Sequence, residues 1–191
     1  MSKTPYHFDD PEQGAHATTS HPAFAALCKA PWFYDCGDDF APFGNDAGND
    51  LLRHLEDWYR GKPRTHAWSF LQTLLADWGL PIEHLAETRT AIVRRLLADP
   101  AQETVMSQLD QIAIALAFAQ HKITGKVDAE IHAIAVAASD RQPIVRAHTK
   151  VAYPTWEHAR AKAAADKKVR AALEAMREPT RRRGVSSRRT P

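Results

Sequence analysis

The amino-acid sequence predicts an all-α fold, a single-domain bundle or array of about six to seven helices. Apolar residues recur at helical spacing in most segments of the chain, and glycine or proline separates one segment from the next. No segment has the alternating, Val-, Ile- and Thr-rich pattern that is typical of a strand. We expect residues 1–20 to form a loose lead-in, residues 21–177 the all-α domain, and residues 178–191 a disordered basic tail.

The first half of the domain contains a short helix and then longer amphipathic ones. After a short helix over residues 23–29, one helical face collects the apolar residues Leu51, Leu52, Leu55, Trp58 and Tyr59. We expect Asp46 or Asn49 to cap the start of this helix. A further amphipathic segment lies between a Thr65 cap and a left-handed turn at Gly79, and another helix follows it.

The second half contains the longest candidate helix, residues 102–122, whose middle is apolar on all sides. The alternation of large apolar residues with alanine in this segment also fits a strand. The segment's length and the helix preference of alanine favour a helix. We expect Gly125 to end it, Asp128 to cap the next helix, and a last helix to cover about residues 155–177.

Hydropathy and composition predict a cytoplasmic protein without a membrane span. The longest unbroken apolar run covers residues 112–119, far shorter than the roughly 18 residues that cross a bilayer, and the first residues are polar. The two cysteines, Cys28 and Cys36, belong to no paired metal-binding or disulfide framework. We therefore expect free thiols in a reducing compartment.

Charge is distributed unevenly along the chain. Residues 1–160 contain 15 Lys and Arg against 20 Asp and Glu, a net charge of −5, whereas residues 161–191 contain 10 against 3, a net charge of +7. A short basic tail without aromatic residues is typical of a solubilising terminus, and it can also attract nucleic acid electrostatically. The candidate nucleic-acid contacts are Arg181, Arg182, Arg183, Arg188 and Arg189.

The most distinctive segment is residues 32–50, which we call the acidic loop. It joins an aromatic trio to a glycine-containing turn that is dense in aspartate and asparagine, immediately before a helix. Exposed aromatic area beside charge is favoured at the centre of protein interfaces. The candidate partner-binding residues are Trp32, Tyr34, Asp38, Asp39, Phe43, Asn45, Asp46 and Asp50. The same residue types also cap helices and stabilise turns, and this structural role is the simpler interpretation.

The residues of the acidic loop and its surroundings bear on two kinds of chemistry, metal binding and enzymatic catalysis. Carboxylate and amide oxygens bind hard divalent cations, so Asp39, Asp46 and Asp50 are weak candidates for a metal site. The spacing does not match a calcium-binding loop, and the ten histidines contain no zinc motif. No nucleophile elbow, phosphate-binding loop or dinucleotide fingerprint is present, so we expect no cofactor and favour a non-enzymatic protein.

Several short motifs resemble those of a known group of proteins. They are His21-Pro22, Trp32-Phe33-Tyr34, Pro42-Phe43-Gly44-Asn45-Asp46-x-Gly48-x-Asp50, Asp110-Gln111-Ile112-Ala113 and Gly125-Lys126-Val127-Asp128. In this order the chain is similar to the uncharacterised YfeS-like proteins of bacteria over about residues 21–142. The resemblance implies a bacterial, intracellular protein and assigns no activity.

The leading hypothesis is a cytosolic protein-binding module that presents the acidic loop to another protein, in an immunity-type or adaptor role. One alternative is a divalent-cation-binding protein or a metal-dependent hydrolase that uses the carboxylates of the acidic loop. A further alternative is association with nucleic acid through the basic tail.

Overall fold

The computed structural model describes residues 6–62 and 65–176 of the 191-residue chain. Within these ranges the structure contains seven α-helices, three short 3₁₀ segments and no β-strand, which confirms the predicted all-α fold. The helices are α1 (Pro22–Leu27), α2 (Asp46–Gly61), α3 (Ala67–Asp77), α4 (Thr90–Leu97), α5 (Pro100–Thr124), α6 (Ala129–Ala152) and α7 (Ala159–Met176). The tail that was expected to be disordered lies outside the described residues. None of the helices in the described part combines the length and the apolarity needed to cross a bilayer.

Helix α5 is the central element, and it contacts α1, α2, α4, α6 and α7. Its start is capped by Asp99, whose carboxylate accepts a hydrogen bond from the Ala101 N–H at 2.9 Å, and Pro100 occupies the first helical position. It ends at Gly125, which has the left-handed φ of 77° that glycine adopts without strain. Residues 115–123 are all buried, so the C-terminal part of α5 is enclosed on every side, as its apolar pattern predicted.

The starts of α2 and α3 differ from the expectation. The cap of α2 is Asn45, whose Oδ1 accepts the Gly48 N–H at 2.9 Å, and the predicted caps Asp46 and Asn49 were wrong. Asn45 has the extended backbone that aims a side chain at the first helical N–H groups, whereas those two residues already lie within the helix. Thr65 does not cap α3; its hydroxyl accepts the indole N–H of Trp58 at 2.5 Å.

A fully buried ion pair connects α5 with α6. The Arg141 guanidinium has no exposed surface, and it donates to one carboxylate oxygen of Asp110 through Nε at 2.9 Å and also through Nη2. Its Nη1 donates to the carbonyls of Leu85 at 2.9 Å and Glu87 at 2.7 Å, which fixes the connection between α3 and α4. The second Asp110 oxygen accepts from the Gln142 amide at 2.8 Å. Burial raises the pKa of Asp110 to about 6, and the guanidinium opposes this shift.

The N-terminal segment, residues 6–20, is held by a second buried charge of α5. The Lys122 ammonium has no exposed surface, and it donates to Asp9 Oδ1 at 2.6 Å and lies 3.8 Å from Glu56 Oε1. The backbone N–H of Asp9 donates to the same Glu56 oxygen at 2.8 Å. These contacts attach the segment to α2 and α5; the division of the chain into lead-in, domain and tail stays a prediction.

Three histidines meet where this segment reaches the end of α5. The rings of His7 and His21 lie 5.1 Å apart edge to face, and the ring of His21 fills the space that a Cβ at Gly125 would occupy, 2.2 Å away. His121 is 6% exposed, and its Nδ1 has no hydrogen-bond partner among the described residues. Burial, with a smaller effect of His21, lowers the pKa of His121 to about 4.

We expect the substitution Arg141→Met to reduce the free energy of unfolding by about 3–5 kcal/mol, because it leaves the buried Asp110 carboxylate without its cation. Urea denaturation monitored by circular dichroism measures this loss. The matched control is Arg170→Met, which removes a partly exposed guanidinium paired with Asp140 and Glu174 and should cost less than about 1 kcal/mol. Equal losses in the two variants would contradict the role given to Arg141.

Stability should decrease as the pH falls from 6.5 toward 4, in part because of His121. Its pKa in the folded protein lies below its ordinary value, so in this window the unfolded chain binds a proton that the folded chain does not. We expect His121→Phe to flatten the dependence of the unfolding free energy on pH, measured by urea denaturation at several pH values. The exposed His66 is the control position, and His66→Phe should leave the slope unchanged. An unchanged slope in His121→Phe would refute this assignment.

Candidate functional site

Buried aromatic rings anchor the acidic loop on the core. Phe33 lies in the short 3₁₀ segment Pro31–Tyr34, is 8% exposed and stacks on Phe118 of α5 with a centroid distance of 5.8 Å. Phe43 has no exposed surface at all. Tyr34 is half-buried against the edge of Phe24, and burial raises the pKa of Tyr34 to about 12. Of the predicted partner-binding residues, Phe43 therefore belongs to the core and supports the loop from below.

Some of the polar side chains in the loop are used to build the loop itself. One carboxylate oxygen of Asp38 accepts the Phe40 N–H at 2.9 Å, and the other accepts the indole N–H of Trp32 at 2.8 Å. Asp35 accepts the Gly37 N–H at 2.8 Å, and Asn45 caps α2. These bonds satisfy backbone donors that a turn leaves unpaired. For Asp35, Asp38 and Asn45 the role is therefore structural: their side chains cap a helix and stabilise the turn.

Three other carboxylates of the loop have no such role. Asp39, Asp46 and Asp50 are exposed, and their side chains form no hydrogen bond or ion pair with other described residues. They also do not form a metal site with their neighbours, since no three His, Cys, Asp or Glu side chains are grouped for metal binding within residues 6–62 and 65–176. The loop thus presents negative charge to solvent from a fixed backbone.

Close backbone approaches explain the two glycines in the second half of the loop. A Cβ at Gly44 would lie 1.8 Å from the carbonyl oxygen of Asp38, and a Cβ at Gly48 would lie 2.4 Å from that of Pro42. Ordinary side chains do not tolerate such distances, so the chain can only fold back on itself here with glycine. The spacing of the loop motif is therefore a packing requirement of the turn.

A cleft of about 310 Å³ lies beside the acidic loop, between the loop and helices α5, α6 and α7. The loop contributes Asp39, Phe40, Ala41, Pro42 and Asn45 to its wall. The remaining lining residues come from the three helices and from Trp156, which precedes α7. No motif in the sequence indicated this cleft.

A chain of charged and amide groups crosses the cleft. The Lys162 ammonium donates to the Gln142 amide oxygen at 2.6 Å and to one oxygen of Asp166. Arg146 donates to the other oxygen of Asp166, so two cations share one carboxylate. Through Gln142 the chain continues to the buried Asp110. Local spacing relates only Lys162 and Asp166, an i,i+4 pair on α7, and the contacts with Gln142, Arg146 and Asp110 join different helices.

The other candidate residues are placed as follows. Trp32 is half-buried, and the Lys168 ammonium lies 4.6 Å from the centroid of its ring. Cys28 is buried and Cys36 is exposed, and both are free thiols, as expected. Burial raises the pKa of Cys28 to about 12, which keeps the group protonated as an unreactive thiol. The arginines that were considered for nucleic-acid binding, at positions 181–189, lie outside the described residues.

Comparison with known proteins identifies a relative in bacteria. The chain is 33% identical over 140 residues to the uncharacterized protein YfeS of Escherichia coli (strain K12), which confirms the resemblance found in the motifs. The alignment covers 73% of this chain and 57% of YfeS, so the chain spans little more than half the length of that relative. No protein-family model matches the chain, and no solved structure matches it.

We expect Gly44→Ala to destabilise the protein by about 2 kcal/mol, because the added methyl group collides with the carbonyl of Asp38. The matched control is Gly61→Ala at the end of α2, where no described atom lies within 4 Å of the added Cβ. This control should be neutral or stabilising by up to about 1 kcal/mol. Thermal denaturation of both variants measures the difference, and equal midpoints would mean that the loop does not need its glycine.

Proposed function

We propose that this YfeS-like chain is a non-enzymatic protein-binding module that presents the acidic loop to a basic or mixed-charge surface of another protein, in an immunity-type or adaptor role. The name of the E. coli relative assigns no activity, so the proposal depends on the geometry of the loop. Within the proposal, the loop is the binding surface and the helices are its support.

The observation that carries the proposal is the separation of roles inside the loop. Asp38 and Asn45 are used by the turn itself, whereas Asp39, Asp46 and Asp50 remain exposed and unpaired among the described residues. Exposed carboxylates of this kind steer an oppositely charged partner and favour it over other partners. They are the groups that we assign to the partner.

The rigid backbone of the acidic loop also supports the proposed binding function. Because buried phenylalanines and short local hydrogen bonds hold the backbone, a partner would not need to order the loop on binding. A preorganised surface loses less conformational entropy on association, so more of the contact energy contributes to affinity. Trp32 and Phe40, both half-buried, add the aromatic area that is enriched at the centre of interfaces.

The two alternative functions have less support. A divalent-cation site or a hydrolase built on Asp39, Asp46 and Asp50 requires these oxygens to converge, and the described residues contain no such group. Nucleic-acid association through the tail depends on residues outside the described ranges and stays a prediction.

We expect a photoreactive phenylalanine analogue at position 40 to form a discrete covalent adduct with another protein in the native host. Phe40 lies within the acidic loop between the exposed carboxylates, so a bound partner would be within reach of the probe. The triple variant Asp39→Asn, Asp46→Asn, Asp50→Asn, carrying the same probe, should reduce the adduct about tenfold or more, because it removes the charges that attract the partner. Immunoblotting of irradiated cells measures the adduct.

The control for this experiment removes three exposed carboxylates outside the loop, as Asp77→Asn, Glu83→Gln and Glu130→Gln. It makes the same change in net charge and should leave the adduct unchanged. A probe at Asp77 controls for chance collisions. The proposal would be abandoned if no adduct formed at position 40, or if the adduct survived the loop variant and the control variant equally.

A further inference from the structure

The cleft contains hydrogen-bond donors that no residue in the described part of the chain satisfies. The Lys162 ammonium has three N–H groups, and two of them are used by Gln142 and Asp166. The Arg146 guanidinium has five N–H groups, and its only hydrogen bond to a described residue runs from Nη1 to Asp166. Both side chains are about a quarter exposed, at 24% and 25%, so their remaining donors are accessible from the cleft.

The inner half of the cleft also has an excess of positive charge. Asp166 is the one carboxylate among the described residues that is ion-paired with Arg146 and Lys162. Asp110 does not provide a second one, because its oxygens are occupied by Arg141 and Gln142. Arg141 does not line the cleft but is paired with Asp110, so around Arg146 and Lys162 two cations share the single carboxylate of Asp166, and Asp39 is the other lining carboxylate. This arrangement favours an anionic group that accepts hydrogen bonds.

The rest of the cleft is apolar or aromatic. Its walls contain the side chains Phe40, Pro42, Ile114, Val145, Trp156 and Val169. A volume of about 310 Å³ is near the lower end for ligand pockets, which suits a small molecule or one terminal residue of a peptide. At the rim, Asp39 adds a negative charge that disfavours a second anionic group on the ligand.

We propose that this cleft binds an organic monocarboxylate with an apolar body. The carboxylate accepts hydrogen bonds from Arg146 and Lys162, and the body packs against the walls near Val145 and Trp156. The same chemistry occurs in a free carboxylic acid and in the C-terminal residue of a peptide. The two cations that hold the carboxylate lie on α6 and α7, outside the acidic loop, although Asp39 lines the cleft as well. The inference therefore does not depend on the function proposed above.

Nuclear magnetic resonance titration of the ¹⁵N-labelled full chain tests the proposal. The probes are 3-phenylpropionate and a tripeptide that ends in phenylalanine with a free carboxylate, and the matched neutral probes are the corresponding amides. At least one acid should cause saturable shifts at backbone amides of residues 139–149, and its amide should bind at least about tenfold more weakly. Comparison of the two acids distinguishes the free molecule from the peptide terminus.

Two variants assign the binding to the cleft. Arg146→Gln should weaken binding of the acid about tenfold or more, because it removes one charge-assisted donor, while Lys162 still pairs with Asp166. Ser107→Trp should block the cleft without changing its charge, since Ser107 is an exposed lining residue on α5. The control Arg170→Gln makes the same charge change outside the cleft and should alter affinity less than about twofold.

The titrations distinguish binding of the carboxylate in the cleft from binding elsewhere and from no binding. Weaker binding in both cleft variants, with folded spectra and an unaffected control, supports the site. The proposal is overturned if neither acid causes saturable shifts, if acid and amide bind equally, or if Arg170→Gln weakens binding as much as Arg146→Gln does. Asp39 and Phe40 belong to both surfaces, but the titration is decided by Arg146 and Ser107, which the photo-crosslinking variants leave unchanged. Either experiment can therefore succeed when the other fails.

Discussion

The burial of α5 between Leu109 and Ile123 organises the packing of the elements around it. A helix buried on all sides can contain charged residues only if other elements bring partners to them, because an unpaired buried charge is strongly destabilising. In the first half of α5, Asp110 forms an ion pair with Arg141 of α6. Near the C-terminal end of α5, Lys122 forms ion pairs with Asp9 and Glu56. These pairs fix α6, the connection between α3 and α4, and the N-terminal segment around a single axis.

The residues that satisfy the buried carboxylate also form the cleft. Gln142 donates to Asp110 on one side and accepts from Lys162 on the other, so the hydrogen bonds that stabilise the core also position α7. Among the described residues, Asp166 is then the one carboxylate that pairs with Arg146 and Lys162. Stability and recognition are thus coupled at this place: the core network determines where the unsatisfied donors of the cleft lie.

Much of the fold could be predicted from the sequence, and the acidic loop could be located as well. The enclosed helix was evident from the apolar run of residues 112–119, and its end from Gly125. The composition of the sequence located the loop. It did not indicate which aspartates bond to the backbone of the loop and which remain exposed. Asp38 and Asp39 are neighbours of the same type, and only the folded turn directs one to backbone donors and leaves the other exposed.

The helical class, the order of the helices and the position of the charged turn follow from the sequence, because periodicity, capping and turn formation depend on residues a few positions apart. The ion pairs of Asp110 with Arg141 and of Asp166 with Arg146 follow from the tertiary structure, since these partners lie 31 and 20 positions apart on different helices. Such contacts follow from how the helices pack, and no local pattern records them.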